Sequence, residues 1–314
     1  MPTITTPFDA HSTAAEVIAG VDLTGRRAVI TGGSSGIGLE TARALATAGA
    51  QVTLAVRDTA AGQRAAEDIG TGTVHVARLD LADRATIGAF TASWDGPLHI
   101  LVNNAGTMAV PELRRTPEGH ELQFATNHLG HAALTLGLHD ALTAAQGARV
   151  VTVASSAHLM SPVVFEDIHF TARPYDAWSA YGQSKTATIL FTVALAKKWA
   201  ADGITANALH PGGVMTNLQR HLDETQLRFV GALDEHGQSM DVPPGWKTPQ
   251  QGAATTVLLA ASPHVRGVSG RYFEDGAEAG AGEPGPAMSG VAAYALDPED
   301  ADRLWDETAR LLRH

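Results

Sequence analysis

The sequence predicts an α/β protein: one doubly wound domain with a parallel sheet of about seven strands and helices on both faces. Two observations carry this. Short apolar runs alternate with longer amphipathic segments along most of the 314 residues, the pattern of strands joined by crossover helices. The glycine-rich stretch TGGSSGIG, Thr31 to Gly38, also follows directly on the first apolar run. That is where such a sheet turns from strand to helix.

In chain order, residues 1–24 read as an N-terminal leader with a short helix over Ser12–Ile18, and residues 25–314 as the single domain. Strands are expected at Arg27–Ile30, Gln51–Val56, Val74–Ala77, His99–Val102, Arg149–Ala154, Thr205–Leu209 and Gly270–Phe273. Their apolar character on both faces fits a parallel sheet covered on both sides. Helices are expected at Gly36–Ala48, from Asp58 as N-cap to Ile69, at Asp83–Trp94, Pro117–Ala145, Tyr175–Ala201 and Pro249–Ala261, and in an amphipathic terminal stretch at 297–312. Residues 157–178 read as a substrate loop, 212–246 as an irregular lid, and Gly276–Gly290 as a surface loop.

Composition excludes several functions. The net charge of −11, with no basic cluster longer than two residues, argues against a nucleic-acid partner. The absence of cysteine removes disulfides, thiolate catalysis and cysteine zinc sites. No apolar stretch approaches the ~18–20 residues of a membrane span. The opening residues lack a basic region followed by an apolar one, so no signal peptide is read. The expected location is cytoplasmic.

Two chemistries compete for TGGSSGIG. Gly32-Gly33-Ser34-Ser35-Gly36 fits the G-x-S-x-G elbow of serine hydrolases. Gly32, Gly36 and Gly38 instead fit a turn that lets a dinucleotide pyrophosphate approach a helix N-terminus. Position favours the second, because the elbow follows a central strand and this turn follows the first one. Further motifs fall at or just beyond the carboxyl ends of strands, where ligands bind in such sheets. They are NNAG at 103–106, Ser155-Ser156, YGQSK at 181–185 and HPGGVMTN at 210–217.

Taken together, these motifs resemble the short-chain dehydrogenase/reductase family over about Leu23 to Phe273. LAVRD, NHLGH, HPGGVMTNL and SGRYFEDG are most similar to its retinol-dehydrogenase-like branch. The resemblance implies a Rossmann-type domain and a catalytic tetrad of Asn127, Ser156, Tyr181 and Lys185. Tyr181 and Lys185 are four apart and share a helical face. An ammonium there favours the phenolate and lowers a pKa of about 10. Ser156 is taken as the serine that contacts the substrate, with Ser155 as competitor. The 25-residue separation of Ser156 and Tyr181 matches the longer loop of that branch. Asn127 is assigned a water in the proton relay. The simpler reading of Asn127 is a helix asparagine bonded to backbone.

For the cofactor, the resemblance gives Gly32, Ser34, Ser35, Gly36, Ile37 and Gly38 to the pyrophosphate turn. It gives Asp80 and Leu81 to the adenine side, and Asn104, Ala105 and Gly106 to the adenosine ribose and floor. Tyr181, Lys185, Pro211, Gly212 and Thr216 meet the nicotinamide end. Asp58 stands about 20 positions after the glycines, as an NAD-selecting acid would, yet it fits better as a helix cap. Arg57, just before it, suits a 2′-phosphate, so NADP(H) is expected over NAD(H). His128 and His131 are three apart, but without a third ligand they are not read as a metal site.

The expected reaction is interconversion of a carbonyl and an alcohol on an apolar small molecule. The alternative is a non-catalytic dinucleotide-binding regulator or redox sensor. Met160, Phe165, Phe170, Tyr175 and Trp178, with Met215, Leu218, Phe229 and Trp246, are divided between pocket and ordinary core. A homo-oligomer, dimer or tetramer, would use the two long helices, and the leader or terminal helix could obstruct one interface.

Overall fold

The structure, a computed structural model, describes residues 3–234, 236–282 and 288–313. Residues 283–287 of the expected surface loop lie outside it, as does the side chain of Phe229. Eight strands form one sheet. They are β1 (Arg27–Thr31), β2 (Gln51–Val56), β3 (Val74–Arg78), β4 (Ile100–Asn103), β5 (Arg149–Val153), β6 (Thr205–His210), β7 (Tyr272–Glu274) and β8 (Ala277–Glu278). Their order is β3-β2-β1-β4-β5-β6-β7-β8. The first seven run parallel, and only β8 is antiparallel, paired to β7. The strand order reverses between β1 and β4, which opens a crevice at their carboxyl ends.

The eighth strand exceeds the expected seven. It is the return arm of a hairpin whose two-residue loop is Asp275-Gly276, both at positive φ (50° and 76°). Asp-Gly is the pair that suits such a turn.

Helices cover both faces. One side carries α1 (Ala14–Ile18), α2 (Gly36–Thr47) and α3 (Thr59–Ile69), with α10 (Pro249–Gly252) and α11 (Ala254–Ala261). The other carries α4 (Arg84–Ser93), α5 (Leu122–Phe124), α6 (Gly130–Gly137), α7 (His139–Ala144), α8 (Ala177–Lys198) and α12 (Pro298–Arg313). A short α9 (Glu224–Phe229) lies in the lid. The leader is part of this packing: Ala14, Val17 and Ile18 of α1 are buried in the core with α2 and α11. Among the described residues no helix is long and apolar enough to cross a membrane.

The helix expected over Pro117–Ala145 is not continuous. Residues 111–121 form a loop in which Arg115 bridges Glu121 and Gly119 turns with φ +89°. The Glu121 carboxylate then accepts from the N–H groups of Gln123 and Phe124, which starts α5. A π-helical turn, Ala125–Leu129, follows before α6. Gly130 lets this helix pass the backbone of Leu81: a Cβ there would stand 2.2 Å from the Leu81 carbonyl oxygen.

The terminal α12 packs on α8, where Trp305 stacks on Phe191 at 5.5 Å, and Leu304 is fully buried. That face of α8 is therefore occupied by the chain itself. His128 on the π-turn ties in the same helix through Nε2 and the Thr308 hydroxyl, 2.7 Å apart.

Burial pushes His128 down to about 3 and His131 to about 4, and His169 and His210 both to about 4. Unfolded histidines titrate near 6.5, so between these values the unfolded chain binds more protons. The stabilisation is fully present above about pH 6.5 and is lost as pH falls toward 4. Glu121, raised to about 7 by burial, opposes this as one group against four. Urea denaturation is expected to give a lower midpoint at pH 5 than at pH 7.

Candidate active site

The glycine turn needs its glycines for space and for backbone. Gly32 and Gly36 have φ of +68° and +56°, a region that side chains with a Cβ adopt at a cost. A Cβ on Gly38 would stand 2.5 Å from the Gly32 carbonyl oxygen and 2.6 Å from Asn104 Nδ2. The turn, α2 and the end of β4 are therefore in direct contact. Ser35, the N-cap of α2, makes no side-chain capping bond. The first N–H groups of α2 are left for a ligand, and the helix dipole favours an anion there. Among the described residues no histidine hydrogen-bonds Ser34 or Ser35, so the hydrolase reading has no base.

The end of β4 is held by β1. The Thr31 hydroxyl accepts from the N–H groups of Asn104 (2.9 Å) and Ala105 (3.0 Å). Asn104 Nδ2 donates to the Thr31 carbonyl at 2.8 Å. A Cβ on Gly106 would meet Asn127 Oδ1 at 3.2 Å and Lys185 Nζ at 3.8 Å. The floor of the crevice thus touches two of the tetrad residues.

Tyr181 and Lys185 lie on α8, both buried (2% and 4% exposed). Lys185 Nζ donates to the Val153 carbonyl at 2.9 Å and stands 5.7 Å from the Tyr181 ring centre. Burial pushes Tyr181 up to about 12, offset in part by a hydrogen bond to the Ser155 side chain. Burial pushes Lys185 down to about 8. The sequence led to the expectation of a lowered phenol; here loss of water is the largest influence on it.

Both serines of the pair line the cleft, and they are held differently. The Ser155 side chain is the neighbour that lowers the Tyr181 phenol. Ser155 Oγ also accepts from the Ala157 N–H at 3.1 Å, capping the 3₁₀ turn Ser156–Met160. Ser156 instead donates its backbone N–H to His210 Nδ1 at 3.2 Å.

Asn127 sits on the π-turn, buried. Its Oδ1 accepts from the Thr107 N–H (2.9 Å), and its Nδ2 donates to the Thr107 carbonyl and to Ser184 Oγ, both at 2.9 Å. Its own carbonyl accepts from His131 Nδ1 at 2.9 Å. Asn127 therefore makes the backbone bonds of the simpler reading, and it does so beside Lys185. His131 is held by Asn127 and Thr31, and His128 by Thr308. Among the described residues no group of three His, Asp or Glu side chains could hold a metal.

The glycine turn, the end of β4, the serine pair, Tyr181 and Lys185 line one cleft of about 1350 Å³, while Asn127 lies behind its wall at Gly106. Gly32, Ser34, Ser35, Gly36, Ile37 and Gly38 lie along it with Arg57, Asp80, Leu81, Asn104, Ala105 and Gly106. Ser155, Ser156, Tyr181, Lys185, Pro211, Gly212 and Thr216 complete it. Asp58 caps α3, accepting from the Ala61 N–H at 3.0 Å, as expected. Asp80 Oδ1 accepts from the Ala82 N–H at 3.0 Å.

The lid is anchored at both ends by a bridge between Val214 and Lys247 and contains a 3₁₀ turn, Asn217–His221, as well as α9. Met160, Trp178, Leu218 and Trp246 face the cleft. Phe165, Phe170 and Tyr175 do not. Phe165 packs against the core and stands under Arg303. Tyr175 donates to the Val110 carbonyl at 2.8 Å and stacks edge-on with buried Phe170. The sequence reading missed His158, His210, Arg220 and Met288; all but His158 line the cleft. His210 was visible in HPGG, and His158 in SSAH, but neither carries a pattern that names its role.

Comparison with known proteins agrees with this geometry. A family model described as short chain dehydrogenase matches residues 26–227. A "Probable oxidoreductase" of Streptomyces lividans is 56% identical over 296 residues, spanning 93% of this chain and 99% of that protein. Retinol dehydrogenase 12 of Mus musculus is 38% identical over 93% of this chain and 88% of its own length. A crystal structure of an uncharacterized protein from Mycobacterium paratuberculosis superposes with a TM-score of 0.74 at 33% identity, covering 96% of this chain and 98% of that one. The doubly wound sheet, the glycine turn at its reversal and these matches together make the chain a member of the short-chain dehydrogenase/reductase family, and hence an oxidoreductase.

Proposed function

We propose that the chain interconverts a carbonyl and an alcohol on an apolar small molecule, with NADP(H) as the hydride carrier. The observation that carries this reading is the buried Tyr181, lining with Ser155 and Ser156 the same cleft as the glycine turn and Arg57. The residues fit a dinucleotide: Gly32, Gly36 and Gly38 leave a cradle that a Cβ would fill, and α2 has open N–H groups above it. When bound, the nicotinamide supplies or accepts the hydride.

The protein's own part is to place and protonate the substrate oxygen. Ser155 hydrogen-bonds that oxygen. Tyr181, whose proton burial holds firmly, donates it as hydride reaches the carbon and takes it back in the reverse direction. Lys185 supplies the positive charge that steadies the phenolate formed in each turnover. Asn127, beside Lys185 and Gly106, keeps the path for proton replacement in register. The cleft around Tyr181 is apolar, with Met108, Trp178, Leu218 and Leu222 packed about it, which supports an apolar substrate. Arg57 follows β2 on the cleft wall and offers a guanidinium to a 2′-phosphate. A homo-oligomer would use surfaces other than the α8 face covered by α12.

In NADPH oxidation assays with a carbonyl panel, Tyr181→Phe is expected to lose about 10²–10⁴-fold in kcat while NADPH still quenches or enhances fluorescence at wild-type concentrations. Ser155→Ala should lose more turnover than Ser156→Ala; a larger loss at Ser156 would return the role to Ser156. Arg57→Ala should raise the KM for NADPH roughly tenfold or more and leave that for NADH nearly unchanged.

A further inference from the structure

The Ser155–Ser156 peptide unit is gripped on both of its polar atoms by imidazoles from different elements. The Ser155 carbonyl accepts from His158 Nδ1 at 2.7 Å. The Ser156 N–H, on the other side of the same peptide plane, donates to His210 Nδ1 at 3.2 Å. This plane fixes the ψ of Ser155, and so the direction in which its side chain leaves the turn. We infer that His158 and His210 are positioning residues that clamp this peptide and thereby fix how the Ser155 side chain stands in the cleft that Tyr181 shares. The inference rests on the proposed role of Ser155 in turnover.

The two rings must carry their protons on opposite atoms. A carbonyl can only accept, so His158 Nδ1 bears hydrogen. Its Nε2 is then bare and accepts from the Ala292 N–H at 3.1 Å. His210 Nδ1 meets a donor, so it is bare and the proton sits on Nε2. His158 itself is immobilised. It is fully buried, its ring lies 5.1 Å from that of Tyr272, and its carbonyl accepts from the Tyr294 hydroxyl at 2.6 Å and from Thr186 Oγ1 at 3.2 Å. The clamp thereby joins the serine turn to the 288–296 segment, from which Met288 reaches the cleft.

His210 is faced by Lys247, Asp275, His158 and Lys185, and burial keeps it neutral, pushed down to about 4. A protonated ring would set a donor against the Ser156 N–H. A residue that merely filled space in either position would not need a particular tautomer. Nor would its loss fall on kcat alone.

The test uses the full-length protein with NADPH and a carbonyl it reduces. His158→Leu should lower kcat on the order of 10²-fold, the scale of a small misplacement in a reacting group, with NADPH affinity within about twofold of wild type. His158→Asn, whose amide N–H stands where Nδ1–H does, should recover most of that loss. His210→Leu should behave like His158→Leu, and His210→Asn, whose carbonyl replaces the acceptor, should recover. Nitrogen-15 NMR of the wild type at pH 7 should show the Nδ1–H tautomer at His158 and the Nε2–H tautomer at His210. Unchanged kcat in His158→Leu, equal loss of kcat and NADPH affinity, or Nε2–H at His158 would overturn the clamp. Should the leucine variants fail to fold, the asparagine variants and the tautomers decide it. A wild type that binds no NADPH and reduces no carbonyl would sink the functional reading instead, and the tautomers would still report on the clamp.

Discussion

One hydroxyl joins the parts of this site. Thr31, the last residue of β1, accepts from the N–H groups of Asn104 and Ala105 as the chain leaves β4, and it lies 2.8 Å from His131 Nε2. Since His131 Nδ1 donates to the Asn127 carbonyl, Nε2 is bare and Thr31 is the donor. The glycine turn, the cleft floor and the π-turn that bears Asn127 are thereby locked to one another. Thr31, Asn127 and His131 are out of water, and Asn104 and Ala105 are half-buried. Each bond removed would leave a buried donor or acceptor unpaired, at about 1–3 kcal/mol. The π-turn itself fits this pattern: such turns recur where a helix must aim a side chain at a site.

Burial governs the electrostatics more than charge pairing does. The imidazoles at the site are held neutral by loss of water, which makes each a fixed donor–acceptor pair rather than a cation. That suits a machine built on defined hydrogen-bond directions. The cleft carries its own charges: Lys185 inside it, Arg57, Arg114 and Arg220 along its walls, with Asp58 and Asp80 among them. In a chain with a net charge of −11, these basic side chains set a local field that draws an anionic cofactor inward.

The sheet was largely legible in the sequence because its inner strands β1, β4 and β5 are nearly continuous apolar runs. The boundaries of β2 are identical in sequence and structure, and Asp58 caps α3 as its position suggested. The π-turn was not legible, since a slip of helical register leaves no mark in the spacing of apolar residues. The loop over 111–121 was hidden in the same way, inside a segment whose composition suits a helix. The hairpin of β7 and β8 did leave a sign, Asp275-Gly276 after an aromatic strand, that went unread. The sequence leaves Ser155 and Ser156 level, and both line the cleft. What the spacing does not show is how their shared peptide is held, by His158 three residues on and by His210 from β6. The division of the aromatic residues was similar: Trp178 and Phe170 share a segment, yet one meets the cleft and the other the core.

The sheet also has two margins, and the chain treats them differently. At the β8 side the Glu278 N–H donates to the Ile4 carbonyl at 2.9 Å, Ile4 donates to the Glu278 carboxylate at 3.0 Å, and Thr6 donates to the Gly276 carbonyl at 2.6 Å. At the β3 side the strand is short and carries His75 and Arg78. A foreign strand seeking to extend the sheet would have to displace the first residues at one rim or stack onto a charged, five-residue ribbon at the other. Templated growth into fibrils is thereby discouraged in a molecule whose inner strands are among its most apolar segments.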